Sequence, residues 1–175
     1  DGPTVNTTVP PGSSAFYSFA AAAGDNLELA LSGLALTPTG YYDDVAVYDS
    51  TGKQIAANLS CGIGNPGGSC RLTLSNLVAG TYAVTTHSET AASTASYQLT
   101  LTRDVTGTLT SGEAQTFNLT WPGQSLRLNF TGNAGDTVAI GLSHLTTTPA
   151  GKSVAITVTR PDGTTWVNGT EFSAD

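Results

Sequence analysis

The sequence is poor in charge, and most of its few charges are negative. Only 11% of the 175 residues are charged, and six basic residues stand against 13 acidic ones, which gives a net charge of −7. This balance repels nucleic acid and anionic lipid, so we expect neither as a partner. The sequence also lacks any apolar run of membrane-spanning length, so we expect no membrane insertion.

Cysteine is also scarce: the chain has two, Cys61 and Cys70. A structural zinc site takes four ligands, and His87 and His144 lie in unrelated segments. We therefore predict a Cys61–Cys70 disulfide and, since disulfides persist in oxidising compartments, a secreted or cell-surface location. A start at Asp1 without a basic leader is expected of a mature exported protein or of an excised piece.

Strand and turn formers dominate what remains. Thr favours strands, whereas the frequent Gly, Pro, Asn and Ser favour turns. Apolar residues alternate with polar ones in many short segments, and no segment keeps a helical period. The clearest of these segments are Ala15–Phe19, Leu27–Leu31, Val45–Val47, Leu72–Leu74, Tyr82–Val84 and Tyr97–Leu101. We predict an all-β fold built of antiparallel, jelly-roll-like β-sandwiches.

An internal repeat organises the chain. Residues 9–58 align with residues 120–169 at a shift of 111 positions, without a gap and with 15 identities in 50 positions. The identities include Ala23-Gly24-Asp25 with Ala134-Gly135-Asp136, and Thr37-Pro38 with Thr148-Pro149. The apolar alternation matches too, since Val138, Ile140 and Leu142 align with Leu27, Leu29 and Leu31. We predict strands at the same places in both copies.

The two copies differ in length. Three strands follow residue 58 in the first copy, and the sequence holds no second set of them. We predict a complete sandwich over residues 1–103 and a second one over residues 104–175 that lacks about three strands. The chain is then either a fragment of a longer polypeptide or a subunit that a strand from a neighbour completes, as in a filament.

A series of short motifs over residues 9–102 resembles a known family. The series runs Tyr17-Ser-Phe, Ala23-Gly-Asp, Leu27-Glu-Leu-Ala-Leu, Asp43-Asp-Val-Ala-Val-Tyr-Asp, Leu77-Val-Ala-Gly-Thr-Tyr-Ala-Val and Ser96-Tyr-Gln-Leu-Thr-Leu. It resembles the bacterial pre-peptidase C-terminal domain, in tandem copies as in large surface proteins of the Rhs/YD-repeat type. The resemblance implies export and an accessory role, with collagen, polysaccharide or calcium as ligands of some relatives.

Acidic residues form one cluster, at Asp43 and Asp44 with Asp49 nearby. Calcium takes six to eight oxygen ligands, so Asp43 and Asp44 are weak candidates for a calcium site. Asp43 and Asp49 lie about 20 Å apart along one strand and cannot share an ion. The alternative interpretation is that these are solvated charges at a strand end.

Catalytic motifs are not evident. Neither His87 nor His144 lies in a nucleophile-elbow or metal-binding context, so we expect no enzyme activity and no cofactor other than calcium. Tyr41, Tyr42 and Trp121 are candidates for an aromatic ligand platform, although Trp121 suits the junction between the copies equally well. Five Asn-x-Ser/Thr motifs are candidate glycosylation sites, at Asn6, Asn58, Asn118, Asn129 and Asn168.

Together these features favour a non-catalytic, extracellular module with a structural or adhesive role. Its partners would be the rest of a larger exported polypeptide, neighbouring subunits of an assembly, or an extracellular matrix. The alternative function is that of an accessory domain of a secreted hydrolase, which binds polysaccharide or collagen through a sheet face.

Overall fold

A computed structural model describes residues 4–61 and 68–174, without the side chains of residues 58 and 59. Within these residues the chain forms strands and no helix, and thus no helix long and apolar enough to cross a membrane. The strands are β1 (Val5–Val9), β2 (Ser14–Ala21), β3 (Leu27–Thr37), β4 (Asp43–Tyr48), β5 (Gln54–Cys61), β6 (Gly68–Leu74), β7 (Gly80–Ser88), β8 (Thr94–Arg103), β9 (Val105–Thr108), β10 (Leu126–Asn129), β11 (Ser153–Thr159) and β12 (Thr165–Ser173).

The chain divides into two compact units, Asp1–Phe130 and Thr131–Asp175. The first unit contains two four-stranded antiparallel sheets, with strand orders β1-β8-β3-β6 and β2-β7-β4-β5. From β1 to β8 the chain crosses between the sheets at every connection except the β4–β5 hairpin, which is the order of a jelly roll. The predicted all-β sandwich class is therefore confirmed.

The core of the first unit lies between its two sheets. The alternating residues of β3, Leu27, Leu29 and Leu31, pack there with Val45 and Val47 of β4. The inward residues that the sequence predicts for β6, β7 and β8 are also part of this core or pack against it: Leu72, Leu74, Tyr82, Val84, Tyr97, Leu99 and Leu101. Period-two alternation thus identified the apolar residues of these strands that face the core between the sheets.

Two features tie the sheets together besides apolar contact. The predicted disulfide is present and joins Cys61 of β5 to Cys70 of β6, one strand in each sheet. The hydroxyl groups of Tyr17 in β2 and Tyr97 in β8 lie 3.2 Å apart, and Thr86 in β7 hydrogen-bonds to Tyr97. Burial raises the pKa of Tyr97, so its hydroxyl stays protonated.

The rest of the first unit continues directly from the last sandwich strand. Strand β9 follows β8 after Asp104 and pairs in parallel with β10, with Val105 opposite Leu126 and Thr108 opposite Asn129. This small parallel sheet carries the beginning of the second repeat copy. We call the stretch 121–127 the strap, because it lies against the outer face of β3.

The second unit contains one hairpin, β11–β12. Strand β11 and its partner occupy the positions of β4 and β5 in the first copy, as the repeat predicts. The prediction of a strand at Val138–Leu142 is wrong, because these residues form no strand in the structure. Their counterparts in β3 pair with β6 on one side and β8 on the other, and the sequence contains no second copy of either.

Candidate functional site

An unpaired apolar segment is the most distinctive feature of the second unit. Val138, Ile140 and Leu142 are 36–42% exposed, whereas their counterparts Leu27, Leu29 and Leu31 are 1–4% exposed. The three residues still alternate with small or polar ones, as in β3. We call residues 138–142 the open segment. It has the side chains of a core strand without the strands that bury one.

The turns around the open segment keep the geometry of the first copy. His144 has a φ of 53°, and its counterpart Gly33 has a φ of 64°. The peptide bonds before Pro38 and Pro149 are both cis. His144 and Gly33 stand 111 positions apart, and their matching φ is the geometry that the repeat predicts.

The aspartate turn before the open segment also matches its counterpart. The backbone N–H of Ala22 donates to Asp25 Oδ2 at 2.9 Å, and the N–H of Asn133 donates to Asp136 Oδ2 at 2.7 Å. In the first unit, Asp25 also forms an ion pair with Arg103 at the end of β8, which holds the pKa of Asp25 below its usual range. No cation contacts Asp136 among the described residues.

The hairpin β11–β12 reproduces the register of β4–β5 at three pairs. Val154 lies opposite Phe172 where Asp43 lies opposite Cys61. The other two matched pairs are Val158–Val167 with Val47–Ala56, and Thr159–Thr165 with Tyr48–Gln54. Each strand of this hairpin has its partner within the chain, which explains why it forms while the open segment does not.

A close joint connects the strap to the sandwich of the first unit. Gly123 approaches Ala30 so closely that a Cβ atom on Gly123 would lie 2.5 Å from the Ala30 Cβ. Ser125 Oγ donates to Glu28 Oε1 at 2.8 Å, and Thr73 Oγ1 donates to the same oxygen at 2.9 Å. Glu28 is consequently buried, although its position on the outer face of β3 predicts a solvated side chain.

An ion pair closes the same joint. Arg127 Nε lies 3.1 Å from Asp104 Oδ2, and Arg127 Nη2 donates to Ser75 Oγ at 3.1 Å. The side-chain amide of Gln124 donates to the backbone carbonyl of Arg103 at 2.9 Å. Trp121 lies in the turn of this strap and is 40% exposed. The strap therefore fixes the start of the second copy to the outer face of the first sandwich.

Asp43 is buried, and its interpretation as a solvated charge is wrong. Its side chain is fully enclosed, because residues 43, 45 and 47 of β4 share the inward face. Among the described residues neither carboxylate oxygen has a hydrogen-bond partner, and burial together with the nearby Asp44 raises the pKa of Asp43 to about 7. The strand phase, with Val45 and Val47 two and four residues on, is the sequence signal that indicates this burial.

Asp44 lies on the opposite face of β4 from Asp43. Its Oδ2 lies 3.4 Å from His87 Nε2 in the neighbouring strand β7. Burial raises the pKa of Asp44, and His87 opposes that rise. Among the described residues, no group of three or more His, Cys, Asp or Glu side chains could hold a metal ion. A calcium site at Asp43 and Asp44 remains a prediction.

The aromatic candidates differ in exposure. Tyr41 is 37% exposed, and Tyr42 is half-buried, with a pKa raised by its hydrogen bond to Glu89. Within the described residues, the close aromatic pair is Phe19 with Tyr82, which belongs to the core. The proposed platform of Tyr41, Tyr42 and Trp121 therefore stays a prediction.

The candidate glycosylation sites lie on strands and in connecting segments. Asn6 on β1, Asn129 at the end of β10 and Asn168 on β12 are all exposed. Asn118 is exposed between β9 and β10. The side chain of Asn58 lies outside the described residues. Their modification remains a prediction.

Comparison with known proteins does not add a family. The sequence matches no protein-family model, and a search of curated proteins finds no significant match. The resemblance to the pre-peptidase C-terminal domain thus stays a prediction from the motifs. Two features of the chain bear on its function: the contacts between the strap and the first sandwich, and the open segment.

Proposed function

We propose that this chain is a non-catalytic structural module of a large exported protein or filament, in which strands from elsewhere in the assembly complete the second unit. The single observation that carries the proposal is the open segment, which has the alternation of a core strand and, within the described part of the chain, no strand partner. Exposed, unpaired strands are aggregation hazards that working proteins cover. An assembly in which another strand pairs with this segment removes that hazard.

The first unit supplies the properties of a spacer. Its sheets enclose one core and are linked by the Cys61–Cys70 disulfide, which is typical of proteins from oxidising compartments. The strap joins the start of the second copy to the first sandwich by an ion pair, hydrogen bonds and close packing. Such a joint limits movement of the strap against the first sandwich, which suits a module that holds other parts at a distance.

Sedimentation velocity combined with hydrogen–deuterium exchange tests the proposal. For the purified chain alone, we expect fast exchange at residues 138–142 and slow exchange at residues 27–37. Adding material from the exported assembly should slow exchange at the open segment and produce larger species. The Ile140→Lys variant should stay monomeric, since it places a charge on the open segment, while a Lys at the exposed Phe16 serves as the matched control.

A monodisperse chain whose open segment is as protected as β3 would overturn the proposal. In that result the second unit would need no further strands. Protection that appears equally in the Ile140→Lys variant would also contradict it, because the interaction would then lie elsewhere on the chain.

Ligand binding is the second candidate function. The observation that favours it is the exposure of Tyr41 and Trp121, since exposed aromatic rings are common in binding surfaces. Pull-down with insoluble polysaccharide or with collagen tests it. Binding should fall when Tyr41 or Trp121 becomes Ala and should persist in Phe16→Ala, whose ring is also exposed. No retention on either matrix would exclude these two ligands.

A further inference from the structure

The pairing of β3 with β8 shows what a strand partner of this repeat looks like. The two strands are antiparallel, with Leu27 opposite Arg103, Leu29 opposite Leu101 and Leu31 opposite Leu99. The two leucines of β8 fill the core side of the pair. Arg103 ends the strand and pairs with Asp25, two residues before Leu27. The partner strand is therefore apolar at alternate positions and basic at its end.

The second copy retains the β3 residues and the turn carboxylate that meet β8 in the first copy. Val138, Ile140 and Leu142 stand for the three leucines of β3. Asp136 stands for Asp25, and its Oδ2 accepts the backbone N–H of Asn133 as Asp25 Oδ2 accepts that of Ala22. In the first copy a carboxylate in this turn geometry meets the arginine of β8. The second copy thus offers an incoming strand both an apolar row and a matching charge.

We propose that the open segment binds an incoming antiparallel strand of the β8 type, with apolar residues opposite Leu142 and Ile140 and a basic residue opposite Val138 that pairs with Asp136. This inference rests on the proposed function and names the partner of the same segment. The partner is an extended polypeptide that pairs with the open segment by main-chain hydrogen bonds, so that both become strands. Alternate side-chain positions give it register, because a slip by one residue turns its apolar row outward.

Edge-to-edge pairing of two copies of this chain fits the open segment less well. Antiparallel pairing of two such segments about Ile140 places Asp136 opposite His144 of the other copy. It puts no basic residue opposite Val138, where β8 has Arg103 in the first unit. Charge complementarity at Asp136 therefore favours a β8-type strand over a second open segment.

A synthetic peptide with the sequence of residues 94–103 is the direct probe. Its binding to the full chain is measured by fluorescence anisotropy, and hydrogen exchange locates the protected amides. We expect saturable binding with protection at residues 138–142. Ile140→Lys should weaken binding by at least about tenfold, since it places a charge on the apolar row. A peptide with Ser at the positions of Leu99 and Leu101 should not bind.

A double-mutant cycle tests the charge pair. Asp136→Asn keeps an acceptor oxygen for the turn and removes the charge, and it should weaken binding of the peptide about two- to fivefold. The same variant should bind a peptide with Gln at the position of Arg103 as well as the parent chain does. Glu171→Gln, an exposed carboxylate on β12, is the matched control and should leave both affinities unchanged.

If the peptide binds too weakly to be detected, a variant with the partner strand attached to the chain tests the same pairing. Residues 65–103, with Ser for Cys70, are appended after Asp175, where the repeat alignment places their counterparts. We expect the open segment of this variant to become as protected from exchange as β3. Peptide protection at residues 27–37 instead, equal binding of the serine peptide, or an open segment that stays exposed in the tethered variant would each overturn the inference.

The two proposals fail in different ways. If the chain assembles through the open segment but neither the peptide nor the tethered strand protects it, the β8-type partner is wrong and the structural function stands. If the open segment is protected in the isolated chain, the proposed function itself is wrong. Concentration-dependent dimers that protect residues 138–142 without peptide would identify a second copy as the partner and overturn this inference.

Discussion

The two repeat copies share a sequence pattern and differ in what that pattern forms. In the first copy, residues 27–37 are the centre of a four-stranded sheet, whereas residues 138–148 form no strand. The hairpin that follows forms in both copies, as β4–β5 and as β11–β12. The difference lies in the partner strands. Each hairpin strand pairs with the other strand of its own hairpin, which both copies contain, whereas β3 pairs with β6 and β8, of which the sequence has one copy each. A strand therefore depends on its neighbours more than on its own residues.

The start of each copy shows the same dependence. In the first copy, β1 pairs with β8 and β2 pairs with β7. Their counterparts lie at residues 116–120 and 125–132, and only Leu126–Asn129 is a strand, paired with β9 instead. Pairing with β9 thus forms part of the counterpart of β2, and the counterpart of β1 forms no strand. Local sequence thus supplies an alternating face, and the neighbouring chain decides whether it becomes a strand.

Matched leucine substitutions should give the largest difference between the copies. Leu31→Ala removes a fully buried side chain and should lower the free energy of unfolding of the first unit by about 2–5 kcal/mol. Leu142→Ala should cost less than about 1 kcal/mol, since its side chain is 39% exposed. Urea titration checks both, with Trp121 fluorescence reporting the first unit and Trp166 the second. Equal losses would show that the open segment is already part of a core.

The pH dependence of the free energy of unfolding tests the burial of Asp43, whose counterpart in the second copy is the non-ionisable Val154. The pKa of Asp43 is raised to about 7 in the folded state, and an unfolded Asp titrates at about 3.9. Between these values the folded state holds a proton that the unfolded state has lost, so stability should fall as pH rises from about 4 to about 7. The loss should reach at most about 4 kcal/mol.

Asp43→Asn provides the control for this titration, because it keeps the shape and cannot ionise. Its urea midpoint should change less than that of the parent chain over the same pH range. A parent chain whose stability rises through this range would contradict the raised pKa of the buried Asp43 carboxyl.

Removal of the disulfide should act on the first unit alone. The Cys61→Ala/Cys70→Ala double variant should lose about 3 kcal/mol, the stabilisation expected for a closed loop of about ten residues. The second copy has Phe172 at the position of Cys61, so the second unit should unfold as before. Thermal unfolding with and without reductant, followed through the same two tryptophans, checks this result. A shift in the Trp166 transition would contradict it.

Matched glycine substitutions in the strap and in its counterpart should give the smallest difference in the free energy of unfolding. Gly12 and Gly123 have φ values of 69° and 79°, so an Ala is strained at both positions. Only at Gly123 would the added Cβ collide with Ala30; at Gly12 it would lie 3.7 Å from the carbonyl oxygen of Ala91. Gly123→Ala should therefore cost about 1–3 kcal/mol more than Gly12→Ala in urea unfolding. Equal costs would show that the strap does not pack closely on β3.

Much of the first unit could be predicted from local patterns. Alternation identified the inward faces of β3, β6, β7 and β8, and cysteine spacing identified the disulfide. The burial of Asp43 was missed although its strand phase indicates it. The burial of Glu28 had no local signal, because the residue that covers it, Ser125, lies 97 positions away.

The sequence alone determined the strand-forming alternation, the turns and the duplication, since these depend on side-chain period and on residues that adopt particular backbone angles. The tertiary structure decided which alternating segments become strands and which carboxylates are buried. The physical reason is that a β-strand satisfies half of its backbone groups through another strand, and burial is completed by a second layer. Both partners can lie far away in the chain, so a strand-like sequence such as 138–142 stays open until one is supplied.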